Sequence, residues 1–141
     1  MSYQLRIVTS YVSPLNLKIF PENGYLPIFI IRSIHNSSLI GKYSGTVVHM
    51  KELSPSSELF RAKRDGLIDR EEFVKRYIIE MSNINLLDMV NKFNYLASLS
   101  GAKGVVLMGY NSDDRECHRS VLRDLLNDTG LLSNHVVELI V

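Results

Sequence analysis

With 141 residues, 45% of them hydrophobic and 22% charged, the chain is long enough for one domain with a substantial core and has the balance of an ordinary globular protein. A formal net charge of +1 leaves no global field to draw in nucleic acid or an anionic membrane, although a local basic pocket stays open. The single cysteine, Cys117, excludes an internal disulfide framework and fits a reducing compartment.

Residues 4–9 carry Leu5, Ile7 and Val8 and read as a first strand. Ser13 ahead of Pro14 caps a short helix through Phe20, since proline is tolerated at the first helical position. Residues 21–24 then read as a turn. Residues 26–31 are almost wholly apolar, a second strand closed by Arg32. An arginine at the end of a buried strand reaches solvent, pairs with an acid or binds an anion at the mouth of the sheet. Residues 33–44 form a polar surface loop with His35, a residue more often solvated than catalytic in such a place. Residues 46–50 are a candidate short strand. Ser54 or Ser56 caps a helix through Lys63 that stops near Gly66. Asp69, three before Glu72, caps a clearer helix with Phe73, Tyr77, Ile78 and Met81 on its apolar face. Residues 85–99 make another, with Leu86, Val90, Phe93, Leu96 and Ala97 inward. Residues 135–141 read as a last strand.

The most informative stretch is 104–126. Residues 104–110 form a continuous apolar run bounded by glycines, which reads as a strand buried on both faces. A polar loop follows. Val121, Leu122, Leu125 and Leu126 then have helical spacing, and Asp113 and Glu116 have the spacing of a capping box. Strands alternating with helices imply a three-layer α/β sandwich with a mainly parallel sheet of four to five strands, in a single domain over residues 1–141.

This pattern puts Cys117 in the first turn of the helix after the central strand, where unpaired N–H groups and the macrodipole favour a thiolate. Ligands of open parallel sheets bind beyond the carboxyl ends of the strands. Cys117 also shares the face of Val121 and Leu125, so spacing alone favours a small buried hydrophobe. His118 and Arg119 follow it. Arg123 comes six positions after Cys117, the spacing of cysteine phosphatases, but the residues between are not the small ones that an anion-cradling loop needs. Cys117, His35, His49, His118 and His135 lack zinc-ligand spacing, and no glycine-rich phosphate loop occurs, so neither metal nor cofactor is expected.

The segment Arg115-Glu116-Cys117-His118-Arg119-Ser120-Val121-Leu122, after an apolar strand, resembles the carboxyl-terminal signature of the domain of unknown function 488 family. The middle segment is similar too: Glu52-Leu53-Ser54-Pro55-Ser56-Ser57-Glu58-Leu59, then Gly66, Glu72-Phe73, Tyr77 and Glu80, which looks like the YeaO-like branch. Arg32 fits the family's arginine at the end of its second strand, without the aspartate that precedes it there. The resemblance implies a three-layer α/β fold and an enzyme whose cysteine and arginine positions form the active site. It supplies no substrate.

The expectation is a small enzyme acting on a nucleotide, a nucleic-acid base or another anionic small molecule. Cys117 is the nucleophile, His118 tunes its protonation, Arg32 and Arg119 hold the anion, and Tyr77 and Glu52 enter the same mouth. Nucleic acid as a partner gets no support from the net charge. A binding module that sequesters the same ligand, or a protein-interaction domain using residues 33–45, is the competing reading. The opening residues lack a signal-peptide pattern and no apolar run reaches the ~18 residues of a membrane span, so a cytoplasmic location without membrane attachment is expected.

Overall fold

The computed structural model describes residues 4–32 and 47–139. His35 and its loop, and the last two residues of the predicted final strand, lie outside the described residues. The strands are β1 (Arg6–Tyr11), β2 (Tyr25–Phe29), β3 (Val48–His49), β4 (Gly104–Gly109) and β5 (Val137–Glu138). The helices are α1 (Pro14–Glu22), α2 (Ser57–Arg64), α3 (Arg70–Met81), α4 (Leu86–Ser100) and α5 (His118–Asp128). The sheet order is β3-β2-β4-β1-β5, and every pairing is parallel.

The α/β sandwich follows from a period of two along the strands. Ile7, Ile28, Val105 and Leu107 face one core, and Val8, Phe29, Val106 and Met108 face the other. Leu17 and Phe20 of α1 cover the second face. The other four helices cover the first, through residues such as Tyr77, Phe93 and Leu122. The layering also answers to handedness. The chain steps one way from β1 to β2 and the opposite way from β3 to β4 and β4 to β5. Right-handed crossovers then put α1 and the remaining helices on opposite faces.

Local chemistry explains most boundaries. The side chains of Ser13, Ser56, Asp69 and Asn85 each accept the backbone N–H three residues on, at 2.8–3.1 Å, at the starts of α1 to α4. Gly101 ends α4 in the left-handed region at φ 67°. Two expectations shift. The first helix continues through Pro21 to Glu22 instead of turning there, and Asn23 closes it with its N–H and side chain on the Ile19 carbonyl. On α3, Phe73, Tyr77 and Met81 are buried but Ile78 is exposed, and on α4 Met89 is buried where Leu86 and Leu96 are only partly so. Among the described residues no helix is long and apolar enough to cross a membrane.

The central strand β4 is buried at all six positions, as its unbroken apolar run requires. Its chain continues across β1 to β5, whereas β2 continues outward to β3. Divergence of this kind opens a crevice beyond the carboxyl ends of the two strands.

Candidate active site

Cys117 stands in that crevice, one step from where the capping-box pattern puts it. Asp113 does cap a turn, but its carboxylate accepts the N–H of Arg115 at 3.1 Å, and the turn is a separate 3₁₀ segment over Asp114–Glu116. Closing that turn leaves Cys117 extended, at φ −108° and ψ 145°, as the N-cap residue of α5. The sulfur remains at the positive end of the helix. Arg70 and Ser120 both donate to the Cys117 carbonyl, at 3.3 and 2.9 Å, which fixes the cap from below.

The sulfur is paired with the next side chain. His118 Nδ1 is 3.8 Å from Cys117 Sγ. The other ring nitrogen, Nε2, is hydrogen-bonded to the carbonyl of Ile30, just past β2. A carbonyl only accepts, so Nε2 carries a proton and Nδ1 is the nitrogen left for sulfur. Tyr77 packs edge-on against the imidazole with ring centroids 5.5 Å apart. Gly109 gives the sulfur its room: a Cβ there would fall 2.5 Å from Sγ. Burial pushes the Cys117 thiol up, but the hydrogen bond and charge of His118, with the N–H and guanidinium of Arg119, outweigh it and lower the pKa to about 7.

Beyond the sulfur lies a cleft of about 630 Å³, a size typical of small-molecule sites. Cys117 and His118 form part of it. Ile31, Pro55, Phe60, Phe73 and Tyr110 give it an apolar wall. Arg32, Arg61, Lys63 and Arg64 also line it, against a single acid, Glu116, among the described residues. Lys63 meets Glu116 at 3.8 Å across the mouth. Arg32 is held in place by donating Nε to the Pro55 carbonyl at 2.9 Å.

On the other side of α5 the charges are closed on each other. Arg119 is fully buried and grips Glu138 of β5 with Nε and Nη2, the latter at 2.9 Å, while Nη1 donates to the Asn111 carbonyl. Arg123 donates to both oxygens of Asp114 and to Thr9 Oγ1, and Thr9 donates to Glu138 at 2.6 Å. Burial pushes the Asp114 carboxyl up, but Arg123 and Arg119 more than offset this and hold it below the usual range. Arg123 therefore does not cradle an anion with Cys117, and the segment between them is helical.

Of the expected site residues, Cys117, His118 and Arg32 converge on the cleft. Arg119 comes near the sulfur but its fork is occupied by Glu138, so it is placed to tune the thiol and not to grip a ligand. Tyr77 is fully buried, does not line the cleft and donates its hydroxyl to the Leu53 carbonyl at 2.6 Å. Burial pushes its phenol well above the ordinary range, with the charges of Cys117 and Glu80 adding to the effect. Glu52 does not line the cleft and meets Lys92 at 3.6 Å on the surface. The sequence reading missed Arg61, Lys63 and Arg64, whose signal was a cation run at the end of a predicted helix. It also missed Glu138, whose partner lies 19 residues away. Among the described residues no group of three or more His, Cys, Asp or Glu could hold a metal ion.

A parallel α/β sheet with a Cys–His pair at its carboxyl edge defines the class of protein. The chain belongs to the domain of unknown function 488 family: the profile of the Active DUF488-N3 subclade matches residues 31–130. The profile names that subclade and not the YeaO-like branch. No curated protein and no solved structure matches the chain.

Proposed function

We propose that the protein is an enzyme in which Cys117 is the nucleophile and the cleft holds an anionic small molecule, a nucleotide or nucleic-acid base among the candidates. The observation that carries this is the His118 ring, fixed through Nε2 by the Ile30 carbonyl and turned with Nδ1 toward Sγ. A buried core cysteine has no need of such a partner. Nδ1 takes the thiol proton, Sγ forms a bond to the electrophilic centre of the substrate, and the leaving group departs with that proton. Water then releases the bound group from sulfur. Arg32 and the cations of α2 favour an anion in the cleft. Every residue lining the cleft falls within the span matched by the subclade profile, which supports reading it as the family's site. A reducing, cytoplasmic setting suits a protein that works through a free thiol. The reading asks for no membrane, and the net charge of +1 gives no support to a nucleic-acid partner.

The test is a nitrophenyl ester offered as a generic electrophile. The wild type is expected to release one equivalent of nitrophenolate in a burst and to carry the acyl group on Cys117 by mass spectrometry. Cys117→Ser and His118→Ala should lose the burst. A wild type that gives no burst, or one that persists in Cys117→Ser, would remove the nucleophile. Equal ligand affinity in wild type and Cys117→Ser, with no turnover in either, would favour the sequestering module.

A further inference from the structure

We infer that the cleft reads two features of one ligand, a planar ring on its apolar wall and a phosphate monoester on the basic last turn of α2. The inference rests on the cleft being the substrate site proposed above, and it narrows the substrate class.

The first feature comes from Phe60. Its side chain is 50% exposed, on the same wall as buried Phe73 and Ile31. A lone exposed phenylalanine is unremarkable on a protein surface. Here it flanks a concave space that also contains Pro55 and Tyr110, and an aromatic face of this kind stacks flat rings without demanding one base over another.

The second feature comes from charge. The whole chain carries +1, yet among the described residues the cleft gathers four cations and one acid. Lys63 is answered by Glu116. Arg61 has no acid partner among the described residues, and Arg64 engages Asp65 through Nε. Arg32 is oriented through a neutral carbonyl and has no acid partner among the described residues. A carboxylate matches one of these charges. A phosphate monoester carries about −1.5 to −2 at pH 7 and offers three acceptor oxygens, so it fits the excess better. Because α2 supplies both Phe60 and Arg61 from adjacent positions, ring and phosphate sites are rigidly linked. A free nucleotide and a phosphorylated strand end share this chemistry.

Calorimetric titration of the full chain at low salt tests the inference, with the four ribonucleoside monophosphates, phenyl phosphate, adenosine and inorganic phosphate as probes. At least one ring phosphate should bind about tenfold or more tighter than both adenosine and inorganic phosphate. Arg61→Ala/Arg64→Ala should weaken that ligand by about tenfold and leave adenosine unchanged. Phe60→Ala should weaken ring ligands and leave inorganic phosphate unchanged. A short 5′-phosphorylated oligonucleotide that binds as tightly as the monophosphate assigns the source as a strand end, and weaker binding assigns it as the free nucleotide. Inorganic phosphate binding as tightly as every ring phosphate would overturn the inference, as would a double variant that binds normally while keeping its urea midpoint. A cysteine that is no nucleophile shows in the ester burst and leaves these affinities readable. Failure here beside a normal burst leaves the cysteine reading standing.

Discussion

His118 and Arg119 are neighbours in the first turn of α5, yet they serve opposite corners of the sheet's carboxyl edge. About 100° of helical rotation separates them. His118 turns toward β2 and the open cleft, where four cations face one acid. Arg119 turns toward β1 and β5, where two arginines and two carboxylates close on one another. The first corner keeps charge available and the second uses it up. Proximity of a cation to the cysteine in sequence therefore says little about whether its charge is free.

The largest effect should come from opening the closed corner. Arg119→Met takes from Glu138 the closer of its two arginines, leaving Arg123 at 3.7 Å and the Thr9 hydroxyl, and we expect a loss of about 3 kcal/mol in urea unfolding, the low end for a broken buried pair. Arg119→Met/Glu138→Gln should lose less than the sum of the two single variants, because neither charge is then stranded. Arg32→Ala or Arg61→Ala in the open corner should change stability by only about 0.5 kcal/mol. Equal losses in both corners would erase the distinction.

Next in size is Gly109→Ala. Its Cβ would meet Sγ at 2.5 Å, so the sulfur or β4 must move. A loss of about 1–3 kcal/mol is expected, together with a thiol that titrates higher. His118→Ala removes the donor to the Ile30 carbonyl and should cost about 1–3 kcal/mol. It should also raise the thiol midpoint toward the free value of about 8.5. The last effect is on stability against pH. The folded thiol titrates near 7, below its unfolded value. Its contribution is therefore fully present above the unfolded pKa of about 8.5 and is lost as the pH falls through 7. Wild type should gain stability between these pH values relative to Cys117→Ala.

The sandwich was legible because its signals are local. An unbroken apolar run such as 104–110 permits little except a central strand, and Ser13 and Asp69 announce the helices they cap. The site was legible only where chemistry and sequence run together, at Cys117 and His118. Arg32 lines the cleft from the strand end where the sequence puts it. Arg119 read as a free cation, since Glu138 reaches it only after the chain has folded back. Tyr77 read as a polar group for the mouth, but its hydroxyl is claimed by the Leu53 carbonyl 24 residues upstream. Arg61 and Arg64 stand in the sequence only as cations at a helix end, and β2 and β4 bring the cleft beside them once the chain folds.

The central claim concerns one sulfur atom, and its titration reads that atom directly. The thiolate ultraviolet absorbance of the wild type, corrected with Cys117→Ser, should rise with a midpoint near pH 7. A midpoint at or above the free-thiol value of about 8.5 would contradict the account.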